Sequence, residues 1–369
     1  MAVHYPEGSF PPSEFDWQKL IGPIAEASDA IGRYDSYLGI IPNPELLLSP
    51  MLVNEAVTSS RIEGTHTTVR EVFAFEAGQT DVTDAQKADI QEVINYRCAV
   101  EKSLTMLNDL PISGRVLRSA HEILLDGVRG QFKSPGKYRT EQNWIGRSNN
   151  IDEARYVPIR PDKLEDAMAQ WEKYVNESSH HPLIKIAVAH AEFESIHPFN
   201  DGNGRIGRIV IPLMLYSEGI MSSPCFYMSE FFEHRNSEYQ DRLLAVSSEA
   251  DWTGWCSFFL EAMTTQAKGN LEKAKKINDL YCGVRRALVE ESRSAFAERA
   301  VDSLFRSPIF SAKDFVNIEG VNEKTARRLL NRLKEMGIVE ELYPSGGQRA
   351  AILLFPALLS ITGGLDIYQ

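Results

Sequence analysis

The chain has 369 residues, is 43% hydrophobic and 24% charged, and carries a formal net charge of −12. That is ordinary for a soluble globular protein of two or three domains. It excludes a surface that is basic throughout, so any contact with nucleic acid must be local. No apolar run approaches the roughly 20 residues of a bilayer span, and the opening MAVHYPEGSFPPSEFDW lacks the basic start and apolar stretch of a secretory signal; no membrane partner is expected. Cys98, Cys225, Cys256 and Cys282 are scattered with no CxxC pair, which fits reduced thiols in a cytoplasmic protein better than a zinc site.

In chain order, the first 40 residues read as a Pro- and Gly-containing arm that leads into a helix. From NPELLLSPMLVNEAVTSSRIEGT apolar residues recur at helical spacing, and Gly64 is the expected stop. Residues 83–110 read as a long helix capped by Thr83 or Asp84, and another follows at SGRVLRSAHEILLDGV. GKYRTEQNWIGRSNNIDEARYVPIRP breaks the pattern with Gly, Asn and Pro between short alternating runs, so a β-hairpin or extended flap is expected near 143–161. Helices resume at DKLEDAMAQWEKYVNE, at PLIKIAVAHAEFESIH with Pro182 in the first turn, and at RIGRIVIPLMLYSEGI despite Pro212, and they dominate to about residue 290. In the tail, AERAVDSLF, SAKDFVNIEG and NEKTARRLLNRLKEMG predict three short helices. IVEELYP, SGG and RAAILLF predict strand, turn and strand. Three helices followed by a hairpin is the winged-helix pattern. Lys324, Arg327, Arg328, Arg332 and Lys334 make its third helix basic.

The chemistry concentrates in HPFNDGNGRIGR, His197 to Arg208. Gly202, Asn203 and Gly204 are expected in a turn at positive φ whose N–H groups form an anion nest. The apolar pattern resuming at Ile206 starts a helix there, adding the positive end of its dipole. Arg205 and Arg208, three apart, are expected to face the same anion with fork geometry suited to phosphate. Asp201 at the lip of the nest asks for a Mg²⁺ between its carboxylate and phosphate oxygens. His197, at the end of the preceding helix, can take a proton from a hydroxyl near neutral pH. Phe199 is expected to anchor the loop in the core.

The stretch matches in full the HxFx(D/E)GNGRxxR signature of the Fic (filamentation induced by cAMP) family. LLLSPMLVNEAVTSSRIEGT, PGKYRTEQNWIG and ARYVPIRP are similar to further segments of bacterial Fic proteins, so the resemblance covers most of the chain. It implies a mainly α fold: an N-terminal helical region over 1–110 with an inhibitory helix near 50–64, a Fic core with a small β-hairpin flap over 111–290, and a winged-helix domain over 291–369. It implies a protein adenylyltransferase that moves AMP from ATP to a Ser, Thr or Tyr hydroxyl of a target protein and releases pyrophosphate. His197 would be the base and Asp201 would hold Mg²⁺. The run Gly202, Asn203, Gly204, Arg205, Ile206, Gly207 and Arg208 would bind the nucleotide, with Arg205 toward the β- and Arg208 toward the γ-phosphate. Relatives that act as kinases carry lysine at the place of Gly204, so this sequence leans to nucleotidyl transfer. Tyr156 and Val157 in the flap would pair with the target as an added strand. Tyr239 reads equally as a wall of the adenine pocket and as a core tyrosine.

SSRIEG resembles the family's (S/T)xxxE(G/N) inhibitory motif. Ser59 and Glu63 share one helix face before Gly64, and Glu63 would pair with Arg208, removing the γ-phosphate's partner. In some relatives the same glutamate also supports removal of AMP, a role the resemblance extends to Glu63. A homodimer is a family-level expectation. A second function stays open here, a nucleotide-sensing regulator that binds DNA, or docks protein, through the winged helix.

Overall fold

The computed structural model describes residues 2–146, 150–346 and 350–363 and is mainly helical. In chain order run β1 (Val3–His4), α1 (Trp17–Leu38), α2 (Pro44–Leu47), α3 (Ser49–Ile62), α4 (Val69–Glu76), α5 (Asp84–Leu107), α6 (Gly114–Leu124), β2 (Tyr156–Val157), α7 (Leu164–Glu177), α8 (Pro182–Ile196) and α9 (Asn203–Ser217). There follow α10 (Ser229–His234), α11 (Asn236–Glu249), α12 (Trp252–Ser292), α13 (Ala297–Arg306), β3 (Ile309–Ser311), α14 (Ala312–Val316), α15 (Glu323–Glu335), β4 (Glu340–Tyr343), β5 (Ile352–Leu354) and α16 (Pro356–Ile361). Among the described residues, no helix is long and apolar enough to cross a membrane.

The chain divides into two compact units that interleave in sequence. One collects residues 1–36, 58–64 and 95–268, the other 37–57, 65–94 and 269–369. These units are not consecutive blocks of the kind expected with boundaries at 110 and 290. A division by sequence order assumes local contacts, whereas residues 58–64 join the first unit through side chains that bond Arg208, about 145 positions away.

The first unit is built around α8. All but Pro182 and Glu194 of its residues are buried, the mark of a helix covered on every side. Pro182 sits at its first turn as expected. Trp171 of α7 and Trp255 of α12 each donate an indole N–H to an α8 carbonyl, Ala189 O at 2.8 Å and Ala187 O at 2.7 Å. Large apolar side chains thus reach the core with their polar atoms satisfied, each burial worth about 1.5–3 kcal/mol. α9 packs on α8 and buries nearly its whole length, Pro212 included.

In this unit the expected hairpin is smaller than the sequence pattern indicates. Ile145 bridges Tyr156 in antiparallel fashion, while residues 147–149 of the expected flap lie outside the described residues. In the other unit, Thr83 and Gln86 form a reciprocal cap at the start of α5, as expected. α4 was missed, although Thr68 and Glu71 form a capping box that T-x-x-E spells. α13, β3, α14, α15, β4 and β5 follow in order, with β5 antiparallel between β3 and β4. β3 and α16 were missed as well. The expected turn at 345–347 falls partly outside the described residues, as do 349 and 364–369.

Candidate active site

His197 caps α8 with φ 50° and ψ 62°, a left-handed conformation uncommon for a side chain that is neither Gly nor Asn. Arg139 holds it there. This buried guanidinium donates to His197 O at 3.0 Å, to Glu141 O at 3.1 Å and to Ile159 O, while the Arg139 N–H reaches Pro198 O at 2.9 Å. His197 Nδ1 lies 3.3 Å from Glu194 O; with its proton donated there, Nε2 keeps a lone pair. Burial lowers the His197 pKa to about 4, so the imidazole is neutral at physiological pH, with a lone pair open to a proton.

The loop after His197 is pinned at both ends of one amide. Phe199 N–H donates to Asn203 Oδ1 and Asn203 Nδ2 donates to Phe199 O, both at 2.8 Å. Only Gly202 has the expected positive φ, +78°. Asn203 and Gly204 are instead the first residues of α9: the nest is a helix N-terminus preceded by one glycine, and the Asn203 side chain braces the loop. The N–H groups of a helix's opening turn lack intrahelical partners, and with the dipole behind them they suit an anion.

The two arginines do not face one anion here. Arg205 is fully buried with Nη2 3.4 Å from Asp201 Oδ1. Arg208 Nε donates to Ser59 Oγ at 2.8 Å, and Nη2 donates to Ser59 O at 2.9 Å and Glu63 Oε1 at 2.7 Å. The Arg208 side chain is 2% exposed and that of Glu63 35%, so one side of the ion pair is sealed and the other opens into the cavity. Burial pushes the Glu63 carboxyl up, but Arg208, helped by Arg205, holds it below the usual carboxylate range. The helix end carrying Glu63 is tied by Arg61–Glu233 at 3.2 Å and by Arg129 Nη2 donating to Glu63 O at 3.2 Å, and the chain then turns at Gly64, φ +90°. A Cβ on Gly204 would stand 2.3 Å from Glu63 Oε1 and 2.9 Å from Arg208 Nη1. A side chain at 204 would require the Glu63 carboxylate to shift.

Beside this pair lies a cavity of about 200 Å³ bounded by Glu63, Glu194, His197, Arg208, Tyr239 and Leu243. It is smaller than the roughly 300–1,000 Å³ of ligand pockets in general, in keeping with a carboxylate standing where an anion would go. Ile206 is wholly buried and serves the core. Tyr239 is 4% exposed, with its hydroxyl 2.8 Å from His190 Nε2 and its ring stacked on Phe232, and it also walls the cavity.

Tyr156 and Val157 are not a free edge. Ile145 exchanges backbone hydrogen bonds with Tyr156 at 2.9 and 3.1 Å, and on the other side β1 runs parallel, Val3 N–H to Arg155 O at 3.2 Å and Tyr5 N–H to Val157 O at 2.9 Å. A target segment expected to pair at 156–157 would meet β1 on one side and Ile145 on the other. Pairing partners 150 positions apart leave no local trace in the sequence.

Sequence reasoning also missed His121. It is fully buried and stacks on Phe199 at 3.8 Å. Gly136 N–H donates to its Nδ1, which puts the proton on Nε2 to donate to Asp201 O, each at 2.9 Å. Burial lowers its pKa to about 4, so this tautomer persists. His121 thereby fixes the backbone of the residue expected to meet a metal. No group of three His, Cys, Asp or Glu side chains that could cage a metal occurs among the described residues. One hard carboxylate at the mouth of an anion site does fit Mg²⁺ that takes its other ligands from phosphate and water.

A Fic/DOC family N-terminal model matches residues 21–105 and a Fic/DOC family model matches residues 111–215. The chain is 31% identical over 129 residues to "Protein adenylyltransferase Fic" of Drosophila ananassae, covering 34% of this chain and 22% of that protein. It is 29% identical over 151 residues to the protein of the same name from Aedes aegypti, covering 40% and 25%. The matched part thus spans a quarter or less of those relatives. Among solved structures, a Fic family protein from Desulfovibrio desulfuricans shares the fold at a TM-score of 0.60 and 22% identity, over 94% of this chain and 98% of that one. The two family models together cover more than half of the sequence, and the second contains the loop whose geometry is described above: the chain belongs to the Fic/DOC family.

Proposed function

We propose that the chain is a protein adenylyltransferase restrained by its own Glu63. The observation that carries this reading is the state of Arg208. It lies on the first turns of a helix whose N-terminus offers an anion site, and it is bound to Ser59 and Glu63. In the proposed reaction a target hydroxyl gives its proton to His197 Nε2. Its oxygen bonds to the α-phosphorus of ATP as the bond from that phosphorus to the α,β-bridging oxygen breaks, and pyrophosphate leaves with that oxygen. The α9 N-terminus stabilises the charge that develops on the phosphates. Asp201, set by His121, would hold Mg²⁺, which when bound neutralises phosphate charge. While Glu63 occupies Arg208, a γ-phosphate meets a carboxylate in place of a guanidinium and the triphosphate cannot settle in line with His197. The strand position at Ile145 would receive the target segment.

The tail's helix, strand and hairpin order supports the winged-helix reading of residues 297–354. DNA contact through α15 is the weaker use of it, because Arg327, Arg332 and Lys334 pair with Glu323, Glu335 and Glu341 of the same unit.

The test uses the Glu63→Gly protein with Mg²⁺ and ATP labelled at either the α- or the γ-phosphate. Protein-bound label is expected from the α-position only and is expected to vanish in Glu63→Gly/His197→Ala. Label arriving from the γ-position, or surviving loss of His197, would overturn the mechanism.

A further inference from the structure

Glu194 sits on the last turn of α8, three residues before His197, and the reaction above makes no use of its carboxylate. Its Oε1 is buried and has no hydrogen-bond partner. An orphaned buried carboxylate oxygen is costly, and this one is given room by the backbone opposite. A Cβ at Gly207 would stand 2.3 Å from Glu194 Oε1, so the glycine in GRIGR keeps that seat open. Burial raises the Glu194 pKa to about 7, with Arg208 pulling it down and Glu63 pushing it up.

Its position in the cavity defines what would satisfy it. Gly204 and Arg208 mark the phosphate end. The other wall is α11, where Tyr239, Gln240, Leu243 and Leu244 present a largely apolar face suited to a flat base. Glu194 lines the cavity together with Arg208 and Tyr239. In a nucleoside triphosphate the group between phosphates and base is the ribose, whose vicinal hydroxyls are two donors matched to one carboxylate.

We infer that Glu194 is a specificity residue that receives the ribose, its carboxylate accepting hydrogen bonds from the 2′- and 3′-hydroxyls of the bound nucleotide. The inference rests on the adenylyltransferase reading and adds to it a choice of ribonucleotide over deoxyribonucleotide. A side chain at 207 would displace the carboxylate and erase that choice without touching the phosphates.

Calorimetric binding of ATP, 2′-deoxy-ATP, 3′-deoxy-ATP and inosine triphosphate to the Glu63→Gly protein tests it, alone and combined with Glu194→Ala or Glu194→Gln. In Glu63→Gly the deoxy nucleotides are expected to bind about tenfold or more weakly than ATP, the loss of a hydrogen bond to a charged group. With Glu194→Ala that penalty is expected to fall below about threefold, and Glu194→Gln, which keeps size and one acceptor, to lie between. Melting curves of each variant show whether it is folded, and Glu194→Gln carries the comparison should Glu194→Ala unfold. A deoxy penalty unchanged by either substitution overturns the inference. So does a penalty that appears instead for inosine triphosphate and is relieved in the variants, because that assigns Glu194 to the base's amino group. If ATP itself fails to bind Glu63→Gly, the adenylyltransferase reading falls first.

Discussion

Gly204 stands where three demands meet: an anion site needs close backbone approach, Arg208 needs passage, and Glu63 needs its seat. A methyl group at 204 would lie 2.3 Å from Glu63 Oε1, far inside contact distance, whereas the helical backbone at 204 accepts any side chain. Gly204→Ala is therefore expected to push Glu63 off Arg208 and raise label transfer from ATP several-fold above wild type; a rate at or below wild type in a folded protein would show that Glu63 yields without releasing Arg208. The ion pair works by position more than by strength. Glu63 is a third exposed but Arg208 is 2% exposed, so removing Glu63 leaves a buried guanidinium held by Ser59 alone, a cost to the fold that a bound phosphate would offset. This region was legible to unequal degrees. Ser59, Glu63 and Arg208 were readable through the resemblance of SSRIEG and HPFNDGNGRIGR to the family's motifs, with helical spacing placing Ser59 and Glu63 on one face. Glu194 gave only its place three residues before His197, and its burial comes from packing that no local pattern reports.

At the scale of elements, α8 and α9 were legible because continuous apolar runs bounded by Pro182 and by Gly202 fix both their type and their ends. The sequence also placed the anion loop between them, but not what braces it. Asn203 reads as a turn residue and is a helix residue whose amide closes on Phe199, because a positive φ at Gly202 alone suffices to turn the chain. His121 reads as one more residue of an amphipathic helix, yet its two ring nitrogens join Gly136 to Asp201. His121→Phe keeps the stack on Phe199 and leaves Gly136 N–H without its acceptor. It is expected to destabilise the protein by about 1–3 kcal/mol and to raise the Mg²⁺ concentration needed for half-maximal labelling, measured by melting and by Mg²⁺ titration in the Glu63→Gly background. An unchanged Mg²⁺ requirement would restrict His121 to a structural role. The flap was legible as extended chain, whereas its pairing with β1 was not, since β1 is two residues long and its partner lies 153 positions away.

Across the whole molecule, the first unit buries ionisable groups whose pH effects oppose each other. His121, His190 and His197 stay neutral in the fold, with burial lowering their pKa values to about 4, 3 and 4. Below pH 6.5 the unfolded chain takes up protons that the fold refuses, and stability falls as pH falls. Glu192 and Glu194 keep their protons to about pH 7 because burial disfavours the carboxylate. Between pH 4.5 and 7 the fold therefore binds protons that the unfolded chain has released, and stability rises as pH falls. Three imidazoles against two carboxyls leave a net loss of about one proton's worth, ~1.4 kcal/mol per pH unit, between 6.5 and 4.5. Below pH 4.5 the carboxyl contribution ends, the Glu63–Arg208 pair begins to lose its charge, and the loss steepens. Melting temperatures across pH 8 to 4 are expected to show this shallow then steep decline; a maximum near pH 5 would mean that the carboxyls dominate. The interleaving of the two units was hidden in the sequence because the segment 58–64 belongs with residues far downstream through long-range bonds, those of Ser59 and Glu63 to Arg208 above all. Those bonds are the centre of the account, and the most direct measurement on them is the initial rate of protein labelling from α-labelled ATP by wild type and by Glu63→Gly at equal concentration. The account predicts a rate at least tenfold higher in Glu63→Gly; equal rates, with both proteins folded and both binding ATP, would contradict it.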